Sequence, residues 1–246
     1  MHAPPTDAGR APASMFMSIN VAAVLRALGL AAAGLVFLHI LVVLTYLADW
    51  SLPGVNRFYL DQEGNVPTWF SSLLLLISAL LLGLIAGLKQ RARDRFHAQW
   101  LLLALLFLGL SLDESASFHE VLINPMVKAF DLRGVLRFGW VIAGALFAVA
   151  VLLYYLRFLG SLPARTRALF LVSGGLYVLG AVGMEMVGGY FFIEPETAGI
   201  AGADLVPYMV AMTLEETLEM TGILVFIHTL LDYLKSSSPV ILLRVG

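Results

Sequence analysis

Residues 205–234 read LVPYMVAMTLEETLEMTGILVFIHTLLDYL, and the reading of this stretch decides the fold. Its flanks, Leu205 to Leu214 and Met220 to Leu231, are apolar, while its middle carries Glu215, Glu216 and Glu219. On insertion scales each acid costs about 2.5–3.5 kcal/mol at the centre of a spanning helix. A stretch that keeps both apolar flanks in spite of that cost reads as a membrane span whose acids are turned away from lipid.

The remainder of the chain supports this reading. Of 246 residues, 60% are hydrophobic and 13% charged, and the mean hydropathy is +0.88. Soluble chains are roughly 45–50% apolar and about 25% charged, and no soluble fold of this size buries such an excess. Five more apolar segments approach the roughly 20 residues a spanning helix needs. They run from about Ala27 to Ala48, Trp69 to Leu88, Phe96 to Leu112, Phe138 to Leu156 and Ala168 to about Ile193. The expected fold is therefore an all-α integral membrane protein, a bundle of six transmembrane helices. Residues 19–235 form a single domain, with a disordered tail at 1–18 and a short one at 236–246. The first apolar stretch is too long for a cleaved signal peptide.

Lysine and arginine set the orientation. With the tails included, eleven of the fifteen basic residues fall on one side, among them Lys89, Arg91, Arg93, Arg95, Arg157, Arg165 and Arg167. The positive-inside rule places that side, with both termini, in the cytoplasm. Trp50, Tyr59, Trp69 and Trp140 stand near the opposite boundary as an aromatic belt would. The pairs Gly83 and Gly87, and Gly180 and Gly183, have the spacing of close helix contacts. The chain has no cysteine, which removes disulfides, thiolate metal sites and cysteine nucleophiles. A formal charge of −2 leaves no nucleic-acid footprint.

Depth along the spans singles out a functional layer. At about 1.5 Å per residue from the basic boundary, His39 lies about 20 Å up, and Asp113, Glu114 and Glu219 about 24–25 Å. Glu185 and Glu216 follow at about 27–28 Å. Ionisable groups on four helices, running in both directions, thus share one outer-leaflet layer. Glu215, Glu216 and Glu219 occupy an arc of about 100° on their helix. Asp113, Glu114, Ser117 and Glu120 repeat that pattern on the third, so the two arcs can face each other across the bundle. An unbroken helix points His119 away from Asp113; it joins only if the helix loosens before Pro125. His228, about 10 Å above the basic boundary, stays outside the layer.

Each group also has a plain structural reading. Glu185 fits a protonated core acid, Asp113 and Glu114 a helix end at the interface, and His39 a hydrogen-bonded core histidine. Three acids on one turn are harder to dismiss, because close like charges cannot all ionise without a cation or shared protons. Two chemistries follow. Asp113, Glu114, Glu185, Glu215, Glu216 and Glu219, with His39 and His119, form a ligand set suited to a divalent metal such as Zn²⁺, Mn²⁺ or iron. Glu216 and Glu185 are then the candidate catalytic acids of a metal-dependent membrane enzyme, a hydrolase or oxidoreductase. Alternatively, the same carboxylates couple protons or cations to transport, although the cytoplasmic half lacks a matching polar path. A scaffold held by a polar knot is the bland reading. The outer loops, 58–69 and 121–139, can form a lid; the first carries acids that could extend the site, and the second, broken at Pro125, suits a short helix lying at the membrane surface. That setting suits a lipid-like or small amphiphilic substrate.

The strings FYLDQEGNVPTWFSS at 58–72 and LSLDESASFHE at 110–120 resemble those of an uncharacterised group of bacterial multi-pass membrane proteins. The resemblance implies a bacterial inner-membrane location and no particular substrate or catalytic residue. The chain lacks the paired histidines of membrane hydrolases related to alkaline ceramidases, and the second histidine of a His-Glu-x-x-His helix after His119-Glu120.

Overall fold

A computed structural model describes residues 20–50, 52–193 and 202–237; the tail expected over 1–18 and most of that over 236–246 lie outside the described residues. Every regular element among the described residues is helical. Helix α1 spans Val21–Leu47, α2 Val66–Arg91, α3 His97–Ala116 and α5 Trp140–Ser161. A short α4, Ile123–Phe130, lies between α3 and α5. Helix α6, Ala164–Val178, runs through a π-helical turn at Leu179–Met184 into α7, Glu185–Phe191. The longest helix is α8, Val206–Ser237.

Five of these helical stretches, α1, α2, α3, α5 and the continuous α6–α7, are long and apolar enough to cross a membrane. Large apolar side chains such as Leu30, Leu80, Leu105 and Leu146 stand outward, Leu146 at 67% exposure. In water that surface would be unstable; against lipid tails it costs nothing. The protein is thus built as a membrane protein. Helix α2 begins and ends beyond its apolar window, because polar side chains at its ends still satisfy the backbone. Asn65, for example, caps α2 by accepting from the Thr68 N–H at 3.1 Å, with Pro67 in the first turn.

Two apolar clusters fill the bundle. At the basic end, Trp100 packs edge-on against Phe158 and tilted against Tyr233, while Phe107 and Phe226 stack with centroids 4.6 Å apart. Nearer the acidic end, Leu74, Leu75, Met212, Met220, Ile223 and Ile227 form the second. Helices α2 and α3 are joined by a serine ladder. Ser72 Oγ donates to the Ser111 carbonyl and Ser111 Oγ to the Ser72 carbonyl, each at 2.9 Å, and Ser115 Oγ donates to Ser72 Oγ at 2.7 Å. Ser71, beside this ladder, keeps a buried hydroxyl without a partner among the described residues.

Close approach is decided by glycine on α6–α8, and only one of the four expected glycines takes part. A methyl group at Gly180 would meet the Glu215 carbonyl oxygen and Glu219 Cγ at 2.8 Å. One at Gly222 would meet the Ser173 oxygen and the Tyr177 nitrogen at 2.9 Å. Gly183 faces only Leu179 of its own turn, and Gly83 and Gly87 face open space. Other expectations change too. Helix α3 ends at Ala116, ahead of Pro125, which itself lies in the first turn of α4, where its missing N–H costs no intrahelical bond. Trp50 and Trp69 are exposed at 69% and 65% as belt residues. Tyr59 instead packs on His39 and Tyr46, and Trp140 turns inward because its Nε1–H donates to Glu185.

Matched substitutions test the α6–α8 contact. Gly222→Ala should destabilise the protein by about 1–3 kcal/mol through overpacking, read as a lower thermal midpoint in detergent. Gly87→Ala should leave that midpoint unchanged or raise it slightly. Equal midpoints for both variants would contradict the close contact.

Candidate functional site

The acid arcs of α3 and α8 do face each other, and the carboxylates between them act on one another. Glu114 lies within Coulomb reach of Glu63, His119 and Asp113. Glu216 lies within reach of Glu114, Glu219, Asp61 and Glu63. Glu185 and Glu215 are hydrogen-bonded to each other, and Trp140 Nε1–H donates to Glu185 Oε1 at 3.0 Å. Two carboxyl groups bonded in this way must share a proton. The Tyr177 hydroxyl serves Glu219. Glu114, Glu185, Glu215, Glu216 and Glu219 are half-buried between the helices, and Asp113 keeps 32% of its side chain exposed.

The π-helical turn is what brings Glu185 in. One wide turn at Leu179–Met184 lets Gly180 press onto α8 and starts a fresh α-helix at Glu185. Such turns add a residue to the helix and recur at functional sites.

His119 joins the layer because α3 stops early. Ser117 takes a left-handed conformation, φ 52° and ψ 39°, and its N–H bonds the Asp113 carbonyl at 2.7 Å. The chain then turns back on itself. The His119 backbone N–H donates to Asp113 Oδ1 and its Nδ1 pairs with Asp113 Oδ2, both at 3.0 Å. One carboxylate thus fixes both the main chain and the ring, and the ring leans on Trp140 with centroids 5.0 Å apart. With Nδ1 engaged, Nε2 is left for a ligand. Glu63 and Glu120 complete a trio with His119 in which one ligand atom of each lies within 4.8 Å of the others.

His39 lies apart from that trio. It is fully buried, and the Leu60 N–H donates to its Nδ1 at 3.1 Å. Nε2 therefore carries the ring proton and meets Thr213 Oγ1 at 2.9 Å, whose own proton goes to the Met209 carbonyl. Neither nitrogen remains for a metal, so His39 ties α1, the first outer loop and α8 together.

That loop brings two acids outside the expected site set. Asn65 Nδ2 donates to the Tyr59 carbonyl at 2.6 Å, Tyr46 to Asn56 Oδ1 at 2.8 Å, and Thr68 to the Gln62 carbonyl at 3.2 Å. Folded down this way, the loop directs Asp61 and Glu63 toward the acids of α3 and α8. The Tyr208 hydroxyl donates to Asp61 Oδ2 at 3.0 Å. The readable signals were Gly64, at φ 70°, and the Asn65–Pro67 helix start. They mark a tight turn into α2, but not where its acids point.

The loop charges register their surroundings. Burial raises the Asp61 carboxyl to about 7; the Tyr208 bond works against this, and Glu185, Glu120 and Glu63 add to it. Burial also raises Glu63, helped by Glu120 and opposed by His119. For His119, burial disfavours the charged ring, but Asp113, with Glu63 and Glu120 beyond it, prevails and raises its pKa above the usual histidine value.

Chemically, His119 with its carboxylate partner is the arrangement that orients metal-binding imidazoles and raises their basicity. Three ligands of the type Glu, His, Glu leave coordination positions open, as catalytic sites do. Bonds of about 2.0–2.2 Å would draw the trio inward by roughly an ångström or more.

No curated protein and no solved structure matches the chain. A protein-family model described as a domain of unknown function, DUF8692, matches residues 18–234, which take in every helix from α1 through nearly all of α8. The chain, with its carboxylate-lined interior, belongs to the DUF8692 family.

Proposed function

We propose that the protein is a metal-dependent membrane enzyme of the bacterial inner membrane. In this reading six helices span the bilayer, α8 being the sixth, with both termini cytoplasmic and the site open to the outer side. One observation carries the proposal: His119, its Nδ1 held by Asp113, stands in a trio with Glu63 and Glu120 in which one ligand atom of each lies within 4.8 Å of the others. A divalent ion there (Zn²⁺, Mn²⁺ or iron) would lower the pKa of a bound water and supply a nucleophile near neutral pH. The proton-sharing Glu185–Glu215 pair stands beside it as a proton reserve, which favours hydrolysis over electron chemistry. Glu216 lies deeper, as a ligand or charge partner and not as the first proton carrier.

The aromatic packing of the basic half supports a one-sided site. Trp100, Phe107, Phe158, Phe170, Phe226 and Tyr233 close the bundle beneath the acids, so a substrate enters and leaves from the acidic end. Exposed Phe118, Val121 and Phe130 beside the trio suit an amphiphile approaching from the outer leaflet.

Metal loading tests this directly. Chelator-treated protein in detergent should gain about 2.7 kcal/mol of stability at a hundredfold excess of metal over its Kd, seen as a rise in thermal midpoint. His119→Ala should remove the rise, and His39→Ala should keep it while lowering the metal-free midpoint. Wild-type protein that binds no metal, or a His119→Ala variant that binds it unchanged, would refute the proposal.

A second test reads the metal-free ring. Because its folded pKa is raised, protonated His119 contributes stability that is fully present below the ordinary histidine pKa. That contribution is lost as pH rises through the raised value. Histidine NMR of the metal-free protein should show one ring titrating above the usual range, and Asp113→Asn should bring it down. An unshifted ring in the wild type would contradict the Asp113 contact.

A further inference from the structure

The basic end of the bundle holds a second feature, which the metal reading leaves unused. Over 89–95 the turn from α2 into α3 carries Lys89, Arg91, Arg93 and Arg95 against a single acid, Asp94. Arg93 takes a left-handed conformation at φ 53°, and Asp94 Oδ1 accepts the Phe96 N–H at 2.8 Å. The chain doubles back there, so Lys89 and Arg95 line one open cleft with Trp100 of α3, Ser161 of α5 and Tyr233 of α8. Its volume is about 410 Å³, within the range of small-molecule sites, roughly 300–1,000 Å³.

A topological signal needs only positive charge near the boundary, but these charges are also placed. Lys89 Nζ stands 5.4 Å from the centroid of the Tyr233 ring and meets Asp94 Oδ2 at 3.3 Å. The Arg95 guanidinium lies over the Phe96 ring at 4.6 Å. Arg91, Arg93 and Arg95 have no carboxylate within ion-pair distance among the described residues. A guanidinium resting on a ring keeps its N–H fork for an oxyanion, and phosphate matches that fork. Ser161 Oγ donates to the Phe158 carbonyl at 2.6 Å, so its oxygen is left to accept from a hydroxyl. The outward faces of α3 and α5 carry exposed Leu101, Leu105, Leu152 and Leu156, surface suited to acyl chains.

We propose that this cleft holds the headgroup phosphate of an anionic membrane lipid, with Arg95 and Lys89 as its ligands. Basic pockets between helices at a membrane surface take anionic headgroups in this way. A lipid fits better than free phosphate because the cleft lies where the apolar faces of α3 and α5 end, at the level of headgroups in a bilayer. The bound headgroup ties the α2–α3 turn to the ends of α5 and α8. The proposal depends on the chain lying in a membrane and not on the metal site.

Three probes test it: phosphatidylglycerol, phosphatidylcholine and inorganic phosphate, each titrated into the delipidated full-length chain in non-ionic detergent. Binding is read by native mass spectrometry and by the thermal midpoint. Phosphatidylglycerol should bind and raise the midpoint, at least about tenfold more tightly than either other probe. Arg95→Ala should weaken that binding about tenfold, the loss of a charge-assisted hydrogen bond. Arg91→Ala removes the same charge outside the cleft and should weaken it less than about twofold. Arg95 is exposed, so the lipid-free midpoint of its variant should match the wild type. Equal affinity for phosphatidylcholine, no loss in Arg95→Ala, or equal losses in the two variants would overturn the site. Inorganic phosphate binding as tightly as the lipid would overturn the lipid as its occupant.

Discussion

Carboxylates gathered in a low-dielectric interior repel one another strongly, and the arrangement of this bundle is governed by how that repulsion is relieved. Some groups share a proton, as Glu185 and Glu215 do. Others receive a hydroxyl or indole donor, or in one case a histidine that is itself gripped twice. The α6–α8 contact makes this possible, because Gly180 and Gly222 let two backbones approach until the Glu215–Glu219 turn lies against the π-helical turn before Glu185. A side chain at either glycine would separate the acids from their partners.

Sequence alone revealed a good part of this. Depth counted from the basic boundary placed Asp113, Glu114, Glu185, Glu215, Glu216 and Glu219 in one layer, because a helix converts residue number into height with little error. Angular spacing allowed the arcs of α3 and α8 to face each other without requiring it. The structure brings Glu114 near Glu216 and Glu219, but α3 ends at Ala116, so Ser117 and Glu120 do not continue its arc.

What remained hidden depends on irregular backbone. His119 reaches Asp113 because Ser117 adopts a left-handed conformation, which no periodicity announces for a serine. That the first outer loop carries acids able to extend the site was legible, but which of them turn toward α3 and α8 depends on its pinning by His39, Asn65 and Thr68, contacts between residues distant in the pattern. His39 shows the opposite limit. Height placed it with the acids, but height carries no direction, and the ring proved to bind a loop and a helix. Gly222 was missed because a lone glycine in a span has no spacing partner to mark it. Gly83 and Gly87 had the spacing and no neighbour.

The site that emerges sits at the junction of regular and irregular structure. The helices supply buried acids, and the turns around Ser117 and Gly64 supply the imidazole of His119 and the carboxylate of Glu63 beside it. X-ray absorption of the zinc-loaded protein measures that junction most directly. The account predicts an oxygen-rich shell containing the scattering of a single imidazole, which disappears in His119→Ala and persists in His39→Ala. An imidazole signal that follows His39, or a zinc shell without any imidazole, would contradict it.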